Sequence, residues 1–234
     1  MVIAFAVVQS VFGVGLLVFG TPTLLLVGFS FAETLAYLLP CSIVISLLQV
    51  VAGGGFGLDD MRRRFLIYTA PLVLVGATLI LTVGSGVDIR LLVGAMLLVS
   101  GAIRLLGPVR ARVDSFVRRQ LNGFLVLLGA IHGLSNLGGG VLTLIVGSVY
   151  ETKEDIRRQI AFCYGMMAVI QLATLFFTTS PDIDPVMLVL LPVIAAFIFQ
   201  ILGNRAFRAA TQVVYQFSLT ALIVVFGMIL MVGI

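Results

Sequence analysis

I-H-G-L-S-N-L-G-G-G-V-L-T-L-I-V-G, running from Ile131 to Gly147, holds the only histidine of the chain, His132, and three consecutive glycines, Gly138, Gly139 and Gly140. It sits inside an apolar run from Leu121 to Ser148. Each glycine costs about 1 kcal/mol of helix propensity relative to alanine, so a membrane helix has no use for three in a row. The spacing predicts a helix break at the glycines. A break at membrane depth frees backbone N–H and C=O groups that lipid cannot bond, so it is tolerated only inside protein or beside a wet cavity. Half-helices whose N-termini aim at that interior offer N–H groups and a positive dipole end, which together suit a small anion.

The surrounding composition sets the class. Of 234 residues, 61% are hydrophobic and 10% charged. Repeated apolar runs of about 18 residues or more identify a polytopic helical membrane protein of about seven to nine segments. The net charge of +4 resides largely in short arginine-bearing loops, which report membrane orientation and give no reason to invoke nucleic acid. No removable signal peptide is expected at Met1. Cys41 and Cys163 lie in apolar segments, so a structural disulfide is not expected. No metal-ligand spacing, phosphate loop or nucleophile elbow is present, so the chain is expected to use no cofactor and not to be an enzyme.

In order, a first segment, Val2 to Phe31, is expected to break at Gly20, Thr21 and Pro22. Spans follow at Thr34 to Val51, Phe65 to Val83 with Pro71 inside, and Ile89 to Leu106, the last two joined by a turn at Gly84, Ser85 and Gly86. A basic cytoplasmic linker, 108–120, divides the single transmembrane domain, 1–234, into repeat one, 1–107, and repeat two, 121–234. Repeat two continues with spans at Gln159 to Phe177, Val186 to Leu202 with Pro192 inside, and Val213 to Val232.

The halves match at a near-constant offset. Cys163 follows Cys41 by 122 residues, Gln171 follows Gln49 by 122, Pro192 follows Pro71 by 121, and His132 follows Gln9 by 123. A fixed period of this kind marks duplication. Equivalent loops differ in charge: Arg62, Arg63 and Arg64 follow the second span of repeat one, whereas Asp182 and Asp184 follow that of repeat two. The loop after the first broken segment holds Glu33, and its counterpart holds Lys153, Arg157 and Arg158. Because short cytoplasmic loops are enriched in Lys and Arg, the reversal predicts two inverted-topology repeats. Inversion requires an odd number of crossings per half. The expected architecture is therefore all-α, each repeat having three transmembrane helices and a broken re-entrant helical hairpin, with every strongly basic loop cytoplasmic. Eight simple crossings are the alternative.

The G-L-S-N-L-G-G-G-V-L-T-L of the second half and the degenerate copy F-G-V-G-L-L-V-F-G-T-P-T-L at Phe12 to Leu24 resemble the TauE/SafE membrane transporters, over nearly the whole chain. The resemblance implies secondary transport, with export as the usual direction, of sulfite, organosulfonates or another small sulfur-containing anion across the cell membrane. Family members carry a glycine cluster and a following proline in both halves. Here the first half has only Gly13, Gly15 and Gly20 before Pro22, and the second lacks the proline.

The candidate substrate site lies near the bilayer midplane, between the two breaks. It comprises Gln9, Gly20, Thr21, Pro22, Gln49, His132, Ser135, Asn136, Gly138, Gly139, Gly140 and Gln171. Intramembrane ionisable groups are costly and often functional, which makes His132 a candidate substrate contact and proton carrier. A histidine bonded within the core is the plainer reading. The glutamines can serve interhelical bonding alone, and Ser135, Asn136, Thr143, Thr21 and Thr23 can cap half-helices. Ser42, Ser46 and Gln49 form a polar stripe on one helix face. Two other functions fit the composition: an anion channel on the same fold, and an intramembrane thiol or sulfur-relay enzyme using Cys41 or Cys163. The expected partners are the sulfur anion and the lipid bilayer, and the pattern also allows a homo-oligomer.

Overall fold

The computed structural model describes residues 1–83, 90–105, 107–181 and 183–232. The glycine turn at Gly84 to Gly86 and Asp182 of the acidic turn lie outside the described residues. The first broken segment forms α1 (Val2–Phe12) and α2 (Leu16–Leu26). Then come α3 (Phe31–Ala52), α4 (Asp60–Tyr68), α5 (Ala70–Val83) and α6 (Arg90–Leu105). α7 (Gly107–Arg119) leads into the second broken segment, α8 (Leu121–Ser135) and α9 (Gly139–Val149). The remainder is α10 (Lys153–Thr178), α11 (Pro185–Ile198), one π-helical turn (Phe199–Gly203), α12 (Asn204–Ala209) and α13 (Gln212–Val232).

Among the described residues, four helical stretches are long and apolar enough to cross a membrane: Phe31–Ala52, Asp60–Val83, Lys153–Thr178 and Pro185–Ala209. The protein is thus a multi-pass membrane protein. Side-chain oxygens cap the long helices where they start. Ser30 and Glu33 form a reciprocal capping box on α3, Thr152 accepts from the Asp155 N–H on α10, and Asp184 precedes Pro185 at the first turn of α11. Large apolar side chains on the outside, such as Phe177 (90% exposed) and Val213 (77% exposed), suit contact with lipid tails.

One expectation needs correction. The first segment breaks at Gly13 to Gly15, and Gly20, Thr21 and Pro22 lie within α2. Pro22 removes one N–H from a buried helix that tolerates it, whereas Gly13 adopts the left-handed conformation that ends α1, with φ of 81°. The basic linker 108–120 is almost wholly helical, as α7. Its polar residues are fixed at one end: Ser148 Oγ donates to Asp114 Oδ1 at 2.6 Å, and Arg118 Nε donates to the Ser148 carbonyl at 2.5 Å. The end of α9 therefore lies beside α7, three residues before α8 begins.

α3 and α10 pack against one another at the centre. Around them the contacts exchange between halves. α5 packs on α8 and α10, α11 packs on α1 and α3, and α6 pairs with α13. α8 approaches α5 closely because Gly129 and Gly133 face Thr69, Leu72 and Gly76; a Cβ on Gly133 would stand 2.7 Å from the Leu72 carbonyl oxygen.

The basic loops meet at one end. Arg62 Nε donates to Gln159 Oε1 at 2.7 Å, Arg64 Nη1 to Asn122 Oδ1 at 3.1 Å, and Arg158 Nη1 to the Gly53 carbonyl at 3.3 Å. Lys153 Nζ donates to the Phe207 carbonyl at 3.0 Å. The Gln159 amide bonds Asp59 and the Tyr150 hydroxyl. Burial, reinforced by the Asp59 carboxylate, pushes the Tyr150 phenol up to about 12.

Candidate functional site

At the first break the Gly13 N–H bonds the Gln9 carbonyl at 2.8 Å, closing α1. The chain then turns back on itself. Residues six or seven apart in a helix are separated by about 9–10 Å along the axis, yet a Cβ on Gly15 would lie 2.7 Å from the Gln9 nitrogen. Gln9 ties the turn together. Its Oε1 accepts from the Leu16 N–H at 3.2 Å, while its Nε2 donates to the carbonyl and hydroxyl of Ser42 at 3.1 and 2.9 Å and to Ser46 Oγ at 3.3 Å. Gln49 Nε2 donates to the carbonyls of Gln9 and Ser10 at 2.7 and 3.0 Å.

The second break repeats this plan with other side chains. α8 ends at Asn136, left-handed with φ of 60°, whose N–H bonds the His132 carbonyl at 2.8 Å. His132 Nδ1 accepts from the Gly138 N–H at 3.2 Å, and Nε2 lies 3.1 Å from Gln171 Oε1, an arrangement that assigns the ring proton to Nε2. Gln171 Nε2 donates to the His132 carbonyl at 3.2 Å. Ser135 Oγ donates to the Ile131 carbonyl and accepts from the Leu137 N–H. Gly138 is the N-cap of α9, while Gly139 and Gly140 already belong to that helix. The break is therefore centred on Asn136 to Gly138, slightly ahead of the glycine triplet.

The two breaks meet. Asn136 Nδ2 donates to Thr21 Oγ1 at 2.8 Å, and the Tyr164 hydroxyl accepts from the Val18 N–H, in the first turn of α2, at 3.0 Å. A Cβ on Gly139 would collide with Val18 Cγ2 and lie 2.6 Å from Val14 Cγ2. Gln9, Thr21, His132, Asn136 and Gln171 are all fully buried. α2 and α9 both start here behind glycine N-caps that offer no side-chain cap, so two positive helix ends converge. The opposing carbonyl ends of α1 and α8 are covered by the amides of Gln49 and Gln171. Such an arrangement favours negative charge.

The family described as sulfite exporter TauE/SafE matches residues 1–230 of this chain. The chain belongs to the TauE/SafE family. Among curated proteins and solved structures, nothing matches. Membership makes this a transporter-family protein, and sulfite or a related sulfur compound is the cargo the TauE/SafE description implies.

Most of the expected site residues of this TauE/SafE protein gather around the breaks. Thr21 does so from the middle of α2, while Gly20 packs on Leu38 and neither it nor Pro22 forms a tip. Gln49 and Gln171 act on backbone carbonyls, and both nitrogens of His132 are engaged. Tyr164 is not among the expected site residues, and nothing in the sequence marks its bond to Val18. Cys41 and Cys163 are both free and buried. Among the described residues, no group of three or more His, Cys, Asp or Glu side chains is placed to hold a metal ion.

Proposed function

We propose that the protein is a secondary transporter, working as an exporter in the cell membrane, of a small sulfur-containing anion such as sulfite or an organosulfonate. The anion binds between the two broken segments, and the halves move to expose it to either side in turn. The observation that carries this reading is the junction itself: two helix breaks of matched construction, the second bonded through Asn136 to Thr21 of α2, with the starts of α2 and α9 side by side behind glycine N-caps. Neutral amides and helix N-termini hold an anion without the permanent counter-charge that would hinder its release.

The exchange of helix contacts between halves, and the gathering of the basic loops at one end, support inverted repeats with that end cytoplasmic. The return of α9 to α7 supports a re-entrant second hairpin. Movement of the halves would loosen the His132 pair with Gln171, and an exposed imidazole could then carry a proton with the anion.

Purified protein in liposomes loaded with sulfite, thiosulfate, sulfoacetate, sulfate or acetate tests the reading. Saturable efflux of a sulfur anion, reduced at least about tenfold in Asn136→Ala and Gln171→Ala through lost hydrogen bonds, is the expected result. Wild-type efflux in both folded variants would remove the site from between the breaks.

A further inference from the structure

Two arginines are buried at the basic end, and they are treated differently. Arg62, 2% exposed, is fully engaged: Nε donates to Gln159, Nη1 donates to the Gly55 and Gly57 carbonyls, and the guanidinium carbon stands 4.5 Å from the Phe162 ring centre. Arg157, 6% exposed, has one bond, from Nη1 to Asn204 Oδ1 at 3.3 Å, and its guanidinium carbon lies 4.0 Å from the centre of the Phe207 ring. Its Nε and Nη2 are buried without a partner. Removing a guanidinium from water while leaving two donor positions unfilled is unfavourable unless an acceptor arrives.

Arg157 lines a cavity of about 270 Å³ with Lys153, Arg158, Arg208, Asn204 and Gln49. Four cationic side chains and one carboxylate, Glu154, border it. Lys153 and Arg158 are turned to protein acceptors, the first to the Phe207 and Ala210 carbonyls and the second to Asp155 and Gly53. They supply field, and the open donors are Nε and Nη2 of Arg157, with the buried Nε of Arg158 also unpartnered. The cavity reaches Gln49, the residue that covers the first break. Gln49, whose Nε2 holds the carbonyls of Gln9 and Ser10, keeps a buried Oε1 without a donor, and a Cβ on Gly13 would lie 3.1 Å from the Arg157 carbonyl oxygen.

We infer that this cavity is an oxyanion-binding vestibule, in which Nε and Nη2 of Arg157 take two oxygens of one sulfonate-, sulfite- or phosphate-like group. The planar fork of a guanidinium matches such a group through parallel charge-assisted bonds. Phe207 and Asn204 fix the fork, and the buried Gln49 Oε1 accepts from a bound water or from a protonated oxygen of the anion. The site is separate from the junction of the breaks, and only its place on the substrate's route rests on the transport reading. A free anion and an anionic lipid headgroup present the same chemistry.

The test uses the full-length protein in phosphatidylcholine nanodiscs, titrated with sodium sulfite, sulfate and methanesulfonate by calorimetry. Wild type should bind at least one of them saturably, and Arg157→Gln should bind it about tenfold or more weakly, as loss of charge-assisted bonds implies. Should Arg157→Gln melt abnormally, Arg208→Glu, a charge reversal at an exposed rim position, takes its place with a several-fold loss expected. A second arm incorporates phosphatidylglycerol. Retention of that lipid by wild type and not by Arg157→Gln, with no free anion bound, would keep the oxyanion site and assign it to a headgroup. If neither the anions nor the lipid distinguish the variants from wild type, the vestibule proposal fails. Anion binding that is lost in Asn136→Ala and intact in Arg157→Gln would likewise overturn it while leaving the site at the breaks standing.

Discussion

At the first break the turn is held by Gln9, whose amide reaches hydroxyls and a carbonyl on α3; at the second, His132 holds the equivalent position and meets Gln171 on α10. Both turns end in a left-handed residue whose N–H bonds the carbonyl four residues back, and both have that carbonyl covered by an amide from the neighbouring long helix. The difference lies in what is left over. The imidazole uses both nitrogens in one rigid ring, and among the described residues the one buried polar atom left without a partner beside it is Asn136 Oδ1, whereas the glutamine side leaves Ser10 Oγ and Gln49 Oε1. Of these atoms, Gln49 Oε1 belongs to a residue that borders the basic cavity. One backbone plan is therefore held in place by two different side-chain chemistries.

The largest effect that could break this comparison comes from the glycines that bring each turn close to its neighbours. Gly15→Ala would press a methyl onto the Gln9 backbone, and Gly139→Ala would press one onto Val14 and Val18. Overpacking of this kind costs about 1–3 kcal/mol. The first should lower the melting temperature in detergent more than the second, because backbone yields less than a valine methyl. Equal melting temperatures would mean that the first turn is looser than its geometry suggests.

A sharper test exchanges the chemistry. His132→Ala strips the acceptor from the Gly138 N–H and the donor from Gln171, each a buried loss of about 1–3 kcal/mol. His132→Gln places at the second break the residue that serves the first, and should recover part of that loss in the same melting assay. If glutamine behaves as alanine does, the two turns are not interchangeable in their hydrogen bonding.

The smallest effect concerns the left-handed positions. Asn136→Gly gives up the bond to Thr21 but relieves a conformation that glycine adopts freely at Gly13. Asn136→Ala gives up the same bond and keeps the strain, about 1–2 kcal/mol. Chemical denaturation should rank wild type and Asn136→Gly close together, with Asn136→Ala below both.

Much of this was legible from residue spacing. The offset of 123 between Gln9 and His132, and of 122 between Gln49 and Gln171, anticipated pairs that now make the same bonds to the same backbone groups. The stripe Ser42, Ser46 and Gln49 does face the first turn. The position of that turn was misread because Gly20-Thr21-Pro22 carries the stronger local helix-breaking signal, and buried surroundings overrode it. Gly13 and Gly15 are separated by a valine and look unremarkable until Gly15 is found against Gln9. Arg157 was read only as a sign of membrane orientation. A charge on a loop-proximal helix turn gives no hint in sequence that its partners will be aromatic rings and a single amide.

Gly139 seats the start of α9 against the methyl groups of Val14 and Val18, with the Tyr164 hydroxyl alongside. On the transport reading proposed above, no ion crosses this point while the valine contact stays closed. Throughput on that reading is governed by how often the contact parts, a collective motion on the order of microseconds to milliseconds. Flux should level off as solute rises and climb steeply with warming, in contrast to the shallow temperature dependence of diffusion through an open pore.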